Sequence, residues 1–201
     1  GELLYACNEN RLTLFKGFGE KTQKNVQEAI EFYFQNQGHF LFAQLNDVFP
    51  QIEAYLKKLF SPEKVMQTGA YRRHALTIEE LEFVINETNE TVKPKFETAQ
   101  PPELLRLYTG EQNIIERQFV TTGSAEFIDA FQKAFPTIDY AKAKTEEDIF
   151  LDAGIPYIVP CMRETEKIIE RAKNNKLPEL IQTEDIRSII HSHSNWSDGS
   201  N

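Results

Sequence analysis

The sequence predicts an α+β protein built of several small subdomains, on three observations. Apolar residues recur at helical spacing through the first sixty positions, short strand-like runs fill roughly positions 65 to 108, and a capped helical pattern resumes at Ser124. At 201 residues and 40% apolar composition, the chain has enough material for more than one core.

In the first region Leu3, Leu4, Cys7, Leu12, Leu14 and Phe15 lead into Gly17-Phe18-Gly19. Val26, Ala29, Ile30 and Tyr33 then share one face of a helix predicted over 22–33. A second helix is predicted over about 41–60, with Pro50 kinking it or dividing it in two, and Ser61-Pro62-Glu63 marks a boundary. Strands are predicted over 65–68, 81–85 and 92–96, with 86–91 as a polar connection and 104–108 as the next strand, together forming a small antiparallel sheet. Ser124 caps a helix running to Phe135 that buries Phe127, Ile128 and Phe131. Thr145-Glu146-Glu147 starts a short helix ending at Gly154, 155–160 is extended, 163–174 is a charged helix, and 180–190 leads into the last segment.

Composition narrows the setting. No run approaches the roughly 18 apolar residues of a membrane helix, and the first residues have no secretory pattern, so a cytoplasmic protein without membrane partners is expected. Cys7 and Cys161 stand far apart, outside any CxxC spacing, and read as buried thiols. Thirty-one acidic against 22 basic residues give a formal charge of -9, which opposes phosphate backbones. Any nucleic-acid contact must therefore be local, at Lys16, Lys21 and Lys24 or at Arg72, Arg73 and His74.

Three constellations carry chemistry. The first is His191-Ser192-His193-Ser194-Asn195-Trp196-Ser197-Asp198-Gly199, entered from Ile189 and Ile190. On an extended strand residues two apart share a face, so His191 and His193 can serve one metal centre and Asp198 can add an oxygen ligand. The second is Lys16-Gly17-Phe18-Gly19-Glu20-Lys21-Thr22, where two glycines permit a tight turn and expose N–H groups at a helix start, a place for a phosphate oxygen. It lacks the P-loop spacing, and no strand precedes it as a dinucleotide fingerprint requires. The third spans Thr68-Gly69-Ala70-Tyr71-Arg72-Arg73, then Glu80-Leu81-Glu82, then Thr121-Thr122-Gly123-Ser124.

The terminal string resembles motif one of the PHP family of metal-dependent phosphoesterases, and the Gly17 segment resembles the helix-hairpin-helix element of DNA repair enzymes. The third set, with the stretches Thr145 to Phe150 and Gly154 to Glu164, resembles bacterial family X DNA polymerases that carry a PHP domain. The resemblance implies a helix-hairpin-helix, fingers-like subdomain over 1–60 and a nucleotidyltransferase-like palm with a small mixed or antiparallel sheet over 61–110. An α/β thumb and linker over 111–186 and the first strand of a PHP domain over 187–201 would follow. On this reading the chain is a fragment lacking the N-terminal DNA-binding domain and most of the PHP domain.

The same resemblance implies DNA contact through Lys16, Gly17, Gly19, Lys21 and Thr22, and nucleotide contact through Gly69, Arg72, Arg73, Thr122, Gly123 and Ser124. Glu80 and Glu82 stand in the catalytic Asp-x-Asp positions, with Mg or Mn as the family's metal pair. His191, His193 and Asp198 are an incomplete PHP site for Zn or Mn, to be completed by the rest of that domain.

Departures from the pattern point to a degenerate site. Glutamates replace both aspartates, the third carboxylate position falls at Leu104 or Leu105, Ala70 replaces a serine, Thr121 an aromatic residue and Ile128 a polar one. The expected function is a DNA-binding platform for a PHP phosphoesterase or nuclease. The alternatives are an active polymerase using Glu80 and Glu82, with Glu103 as a third carboxylate, and a structural cap without a DNA role.

Overall fold

The computed structural model describes residues 1–35, 37–99, 102–110, 113–188 and 191. Helices α1 (Glu2–Asn8) and α2 (Glu20–Gln35) flank a turn of 3-10 helix at Leu12–Leu14. They are tied by Gln23, which is buried on α2 and donates from Nε2 to Asn10 Oδ1 at 2.8 Å. Pro50 divides the predicted second helix rather than kinking it. A short α3 (Phe42–Leu45) is followed by α4 (Phe49–Phe60), with the proline in the first turn of α4, where its missing N–H has no partner to lose.

Strands β2 (Val65–Thr68), β4 (Leu81–Ile85) and β5 (Leu105–Thr109) form a three-stranded sheet in the order β2-β4-β5. β2 and β4 pair antiparallel, whereas β4 and β5 run parallel, with Leu81 opposite Leu105 and Glu82 opposite Arg106. The sheet is therefore mixed, and the antiparallel expectation is corrected. A parallel pair needs a crossover, and the segment predicted as strand 92–96 supplies it as helix α6 (Asn89–Thr98). Val92 and Phe96 are four residues apart and pack on one core as a helical pair, and the helix persists through Pro94. A two-stranded ribbon pairs β1 (Phe40–Leu41) with β3 (Thr77–Ile78). The short helix α5 (Gly69–Arg72) joins β2 to that ribbon.

One face of β4, with Leu81, Phe83 and Ile85 fully buried, packs against α4 and α6 in the first core. Aromatic stacking runs through it, from Phe42 to Tyr71 at 4.8 Å, Tyr71 to Phe49 at 4.2 Å and Phe49 to Phe83 at 5.4 Å between ring centres. The opposite sheet face meets α7 (Ile114–Thr122), which opens the second half of the molecule.

That second half contains α7, α8 (Ala125–Ala134), α9 (Glu146–Asp152) and α10 (Lys167–Lys173) around Phe119, Phe127, Phe131 and Phe150. Ser124 caps α8 as expected, its hydroxyl accepting from the Phe127 N–H at 3.0 Å. No strand follows Thr109 among the described residues, so the α/β thumb expectation is replaced by an all-helical arrangement. The predicted helix 163–174 begins four residues later, because 160–164 is committed to a turn and to the contacts described below. Phe83 has no exposed surface and sits at the end of the aromatic stack. Phe83→Ala is expected to lower stability by about 3–5 kcal/mol in urea unfolding.

Candidate functional site

Glu80 and Glu82 lie just before and on β4. Glu82 points away from the first core, and Gly69 lies so close that a Cβ there would stand 1.8 Å from Glu82 Oε2. With φ at +73°, position 69 is reserved for glycine on both counts. The Ala70 N–H, at the start of α5, donates to Glu82 Oε2 at 3.1 Å, and Tyr108 donates its hydroxyl to Glu82 Oε1 at 2.8 Å. An internal carboxylate thus already holds the N–H that the glycine turn would offer to a phosphate.

Glu80 pairs with Arg106, Oε2 to Nε at 2.7 Å. Both side chains are partly exposed, so the pair contributes little stability, but it fixes the sign of the site. The parallel register sets Arg106 directly opposite Glu82, and Leu105 is buried in the first core. A guanidinium and leucines therefore occupy the strand on which a third metal-binding carboxylate would sit. Two magnesium ions need converging oxygen ligands. These residues do not fit that pair, and among the described residues no group of three or more His, Cys, Asp or Glu can hold a metal ion.

The arginines that follow Gly69 are engaged by the second half of the chain. Arg72 makes a two-pronged contact with Glu146, Nη1 to Oε1 and Nη2 to Oε2, both at 2.8 Å, and donates to Thr122 Oγ1 at 2.8 Å. Arg163 grips the same carboxylate from the other side at 3.0 and 3.1 Å, and its Nε reaches the Ile158 carbonyl at 2.8 Å. Its guanidinium lies 5.0 to 5.5 Å from the ring centres of Phe150, Tyr157 and Phe119, and none of it is exposed. Burial alone would raise the Glu146 carboxyl, but the hydrogen bonds and charges of Arg72 and Arg163 outweigh it and hold the group below the ordinary glutamate value.

Arg73 donates to Glu164 Oε1 at 2.7 Å and to the Thr122 carbonyl at 2.8 Å. The Thr122-Gly123-Ser124 turn is equally occupied. Buried Thr122 lies 3.0 Å from the Thr68 hydroxyl, the Ser124 N–H donates to the Arg163 carbonyl at 3.0 Å, and the Ser124 hydroxyl donates to the Glu164 carbonyl at 2.7 Å. Around this junction Arg72 and Arg73 are held by Glu146 and Glu164, the Ala70 N–H beside Gly69 by Glu82, and Ser124 by the Arg163 and Glu164 carbonyls. Sequence reasoning singled out neither Glu146 nor Tyr108. Glu146 reads as one of three acidic residues in a helix first turn, and Thr145 with Asp148 completes a capping box that makes all three look exposed.

The hairpin lies apart from this cluster. Helix α2 starts at Glu20, two residues before the predicted start, and Lys16, Gly17, Gly19, Lys21 and Thr22 are all exposed. Gly17 has φ +96°, the left-handed conformation its turn requires. Of the terminal metal motif, His191 is described and exposed, while His193 and Asp198 lie outside the described residues.

The buried ion group makes a direct prediction. Glu146→Gln leaves Arg72 and Arg163 without their counter-charge and is expected to cost about 3–5 kcal/mol in urea unfolding at neutral pH. Because the folded carboxyl titrates below the unfolded one, its stabilisation is present above the unfolded value and fades as pH falls through the folded one. The gap between wild type and variant should therefore narrow on acidification below pH about 4.

No family model matches the chain. It is similar to the DNA polymerase/3'-5' exonuclease PolX of Bacillus subtilis (strain 168), with 22% identity over 231 aligned residues. The alignment covers 96% of this chain and 40% of the relative, so the chain spans about two fifths of the length of the curated relative it matches. The mixed α+β fold is compatible with this distant similarity to a family X DNA polymerase.

Proposed function

We propose that this chain is a family X polymerase-like core that has given up nucleotidyl transfer and serves as a DNA-binding platform for a PHP metal-dependent phosphoesterase or nuclease. The observation that carries the loss of transfer is Arg106. It stands opposite Glu82 and pairs with Glu80, placing positive charge on the strand where a metal pair would need a third carboxylate, beside Leu104 and Leu105. Glu82 itself is committed to Ala70 and Tyr108, and Arg72 and Arg73 are committed to glutamates across the junction.

DNA contact then falls to the hairpin, with Lys16, Lys21 and Lys24 exposed around a turn and a helix start. The phosphoesterase role rests on the His191, His193 and Asp198 string, whose donors suit Zn or Mn once the rest of a PHP domain supplies further ligands. The relative's exonuclease designation agrees with such a partner activity. No described helix is long and apolar enough to cross a membrane.

One experiment tests the platform and the loss together. A recessed primer-template is offered to the chain with Mg or Mn and all four deoxynucleotides, and binding is followed as salt is raised. Salt-sensitive binding without primer extension is expected, with a log–log slope no steeper than about -3 for three lysines. Extension that disappears in Glu80→Ala and Glu82→Ala would restore the polymerase, and salt-insensitive or absent binding would favour a structural cap.

A further inference from the structure

The hairpin turn presents more apolar surface than basic charge. The Phe18 N–H donates to the Phe15 carbonyl at 3.0 Å, closing a four-residue turn with Gly17 at the third place and φ +96°, as a type II turn requires. Such a closure brings the Cα atoms of Phe15 and Phe18 within about 7 Å. The two residues are 67% and 41% exposed, and neighbouring Leu14 is 81% exposed. Lys16 is exposed at the second place of the turn, while Lys21 and Lys24, three residues apart, share one face of α2, Lys24 in an exposed pair with Glu28 at 3.7 Å.

Three lysines against a formal charge of -9 make a poor ligand for duplex DNA, whose bases are already paired and stacked. A single strand offers something more, because every unpaired base has a face that can stack on an exposed ring. Rings interleaved with lysines are the pairing of stacking platform and backbone attraction that single-strand binding uses. An apolar protein partner, or a second copy of this tip, would instead bury Lys16 without a counter-charge.

We propose that the hairpin around Gly17 binds single-stranded DNA, stacking unpaired bases on Phe15 and Phe18 while Lys16, Lys21 and Lys24 meet the flanking phosphates. This rests on the DNA-binding reading of the same hairpin and specifies the form of DNA it takes.

The test is fluorescence anisotropy of the 201-residue chain with a labelled oligothymidylate of about 16 nucleotides and a blunt duplex of matched length. The single strand should bind more tightly. Phe15→Ala and Phe18→Ala should each weaken it about ten-fold with an unchanged salt slope, Phe15→Trp should retain it, and Lys16→Ala should reduce the slope by about 1. Circular dichroism of each variant should match the parent, since both rings are exposed. Equal affinity for strand and duplex, or a harmless Phe15→Ala, overturns stacking and leaves a plain phosphate contact. Binding to neither overturns the DNA reading itself. A dimer in sedimentation that Phe15→Ala dissociates overturns the proposal in favour of self-association.

Discussion

Glu146 held between Arg72 and Arg163 is the constraint on which the junction of the molecule depends. The carboxylate belongs to α9, one arginine to the end of α5 beside the sheet, and the other to the turn before α10, so three segments distant in sequence meet at one pair of oxygens. Removing two guanidinium groups from water is costly, and it is tolerated because every prong finds an oxygen and the rings of Phe119, Phe150 and Tyr157 surround Arg163. Arg73, Thr68, Thr122 and Ser124 add hydrogen bonds around the same point, joining the aromatic-stacked first core to the helical second one.

That bonding also limits what the site can bind. An arginine pair beside a glycine turn is a ready anion receptor when its donors face solvent. Here the donors face Glu146 and Glu164, and the turn N–H faces Glu82, so the protein supplies its own anions. Across the sheet, Arg106 does for Glu80 what a metal ion would otherwise do for a cluster of carboxylates. These internal ion pairs are the physical basis for the proposed scaffold reading.

Much of the architecture was legible in the sequence. The runs 65–68 and 81–85 stand out because β-branched and aromatic residues lie between turn-forming residues, and the Ser124 cap and the Gly17 turn announce themselves by residue type. The segment containing Val92 and Phe96 was misread as a strand, since Thr91, Val92 and Pro94 argue against a helix. Their burial as an i, i+4 pair decided otherwise. Parallel pairing of β4 with β5 is a long-range choice with no local signature, so the position of Arg106 opposite Glu82 emerged only from the fold. Glu146 was hidden for a similar reason, because a glutamate in an acidic first turn looks solvated until the second core closes over it.

The account turns on whether the palm-like carboxylates bind metal, and electron paramagnetic resonance of free Mn in a titration with the chain and dATP asks this directly. The account predicts that Glu80→Ala and Glu82→Ala leave the free Mn signal of the mixture unchanged from the parent, with any depletion arising elsewhere in the chain. Stoichiometric depletion that either substitution abolishes would contradict it, showing that Arg106 yields its place to a metal ion.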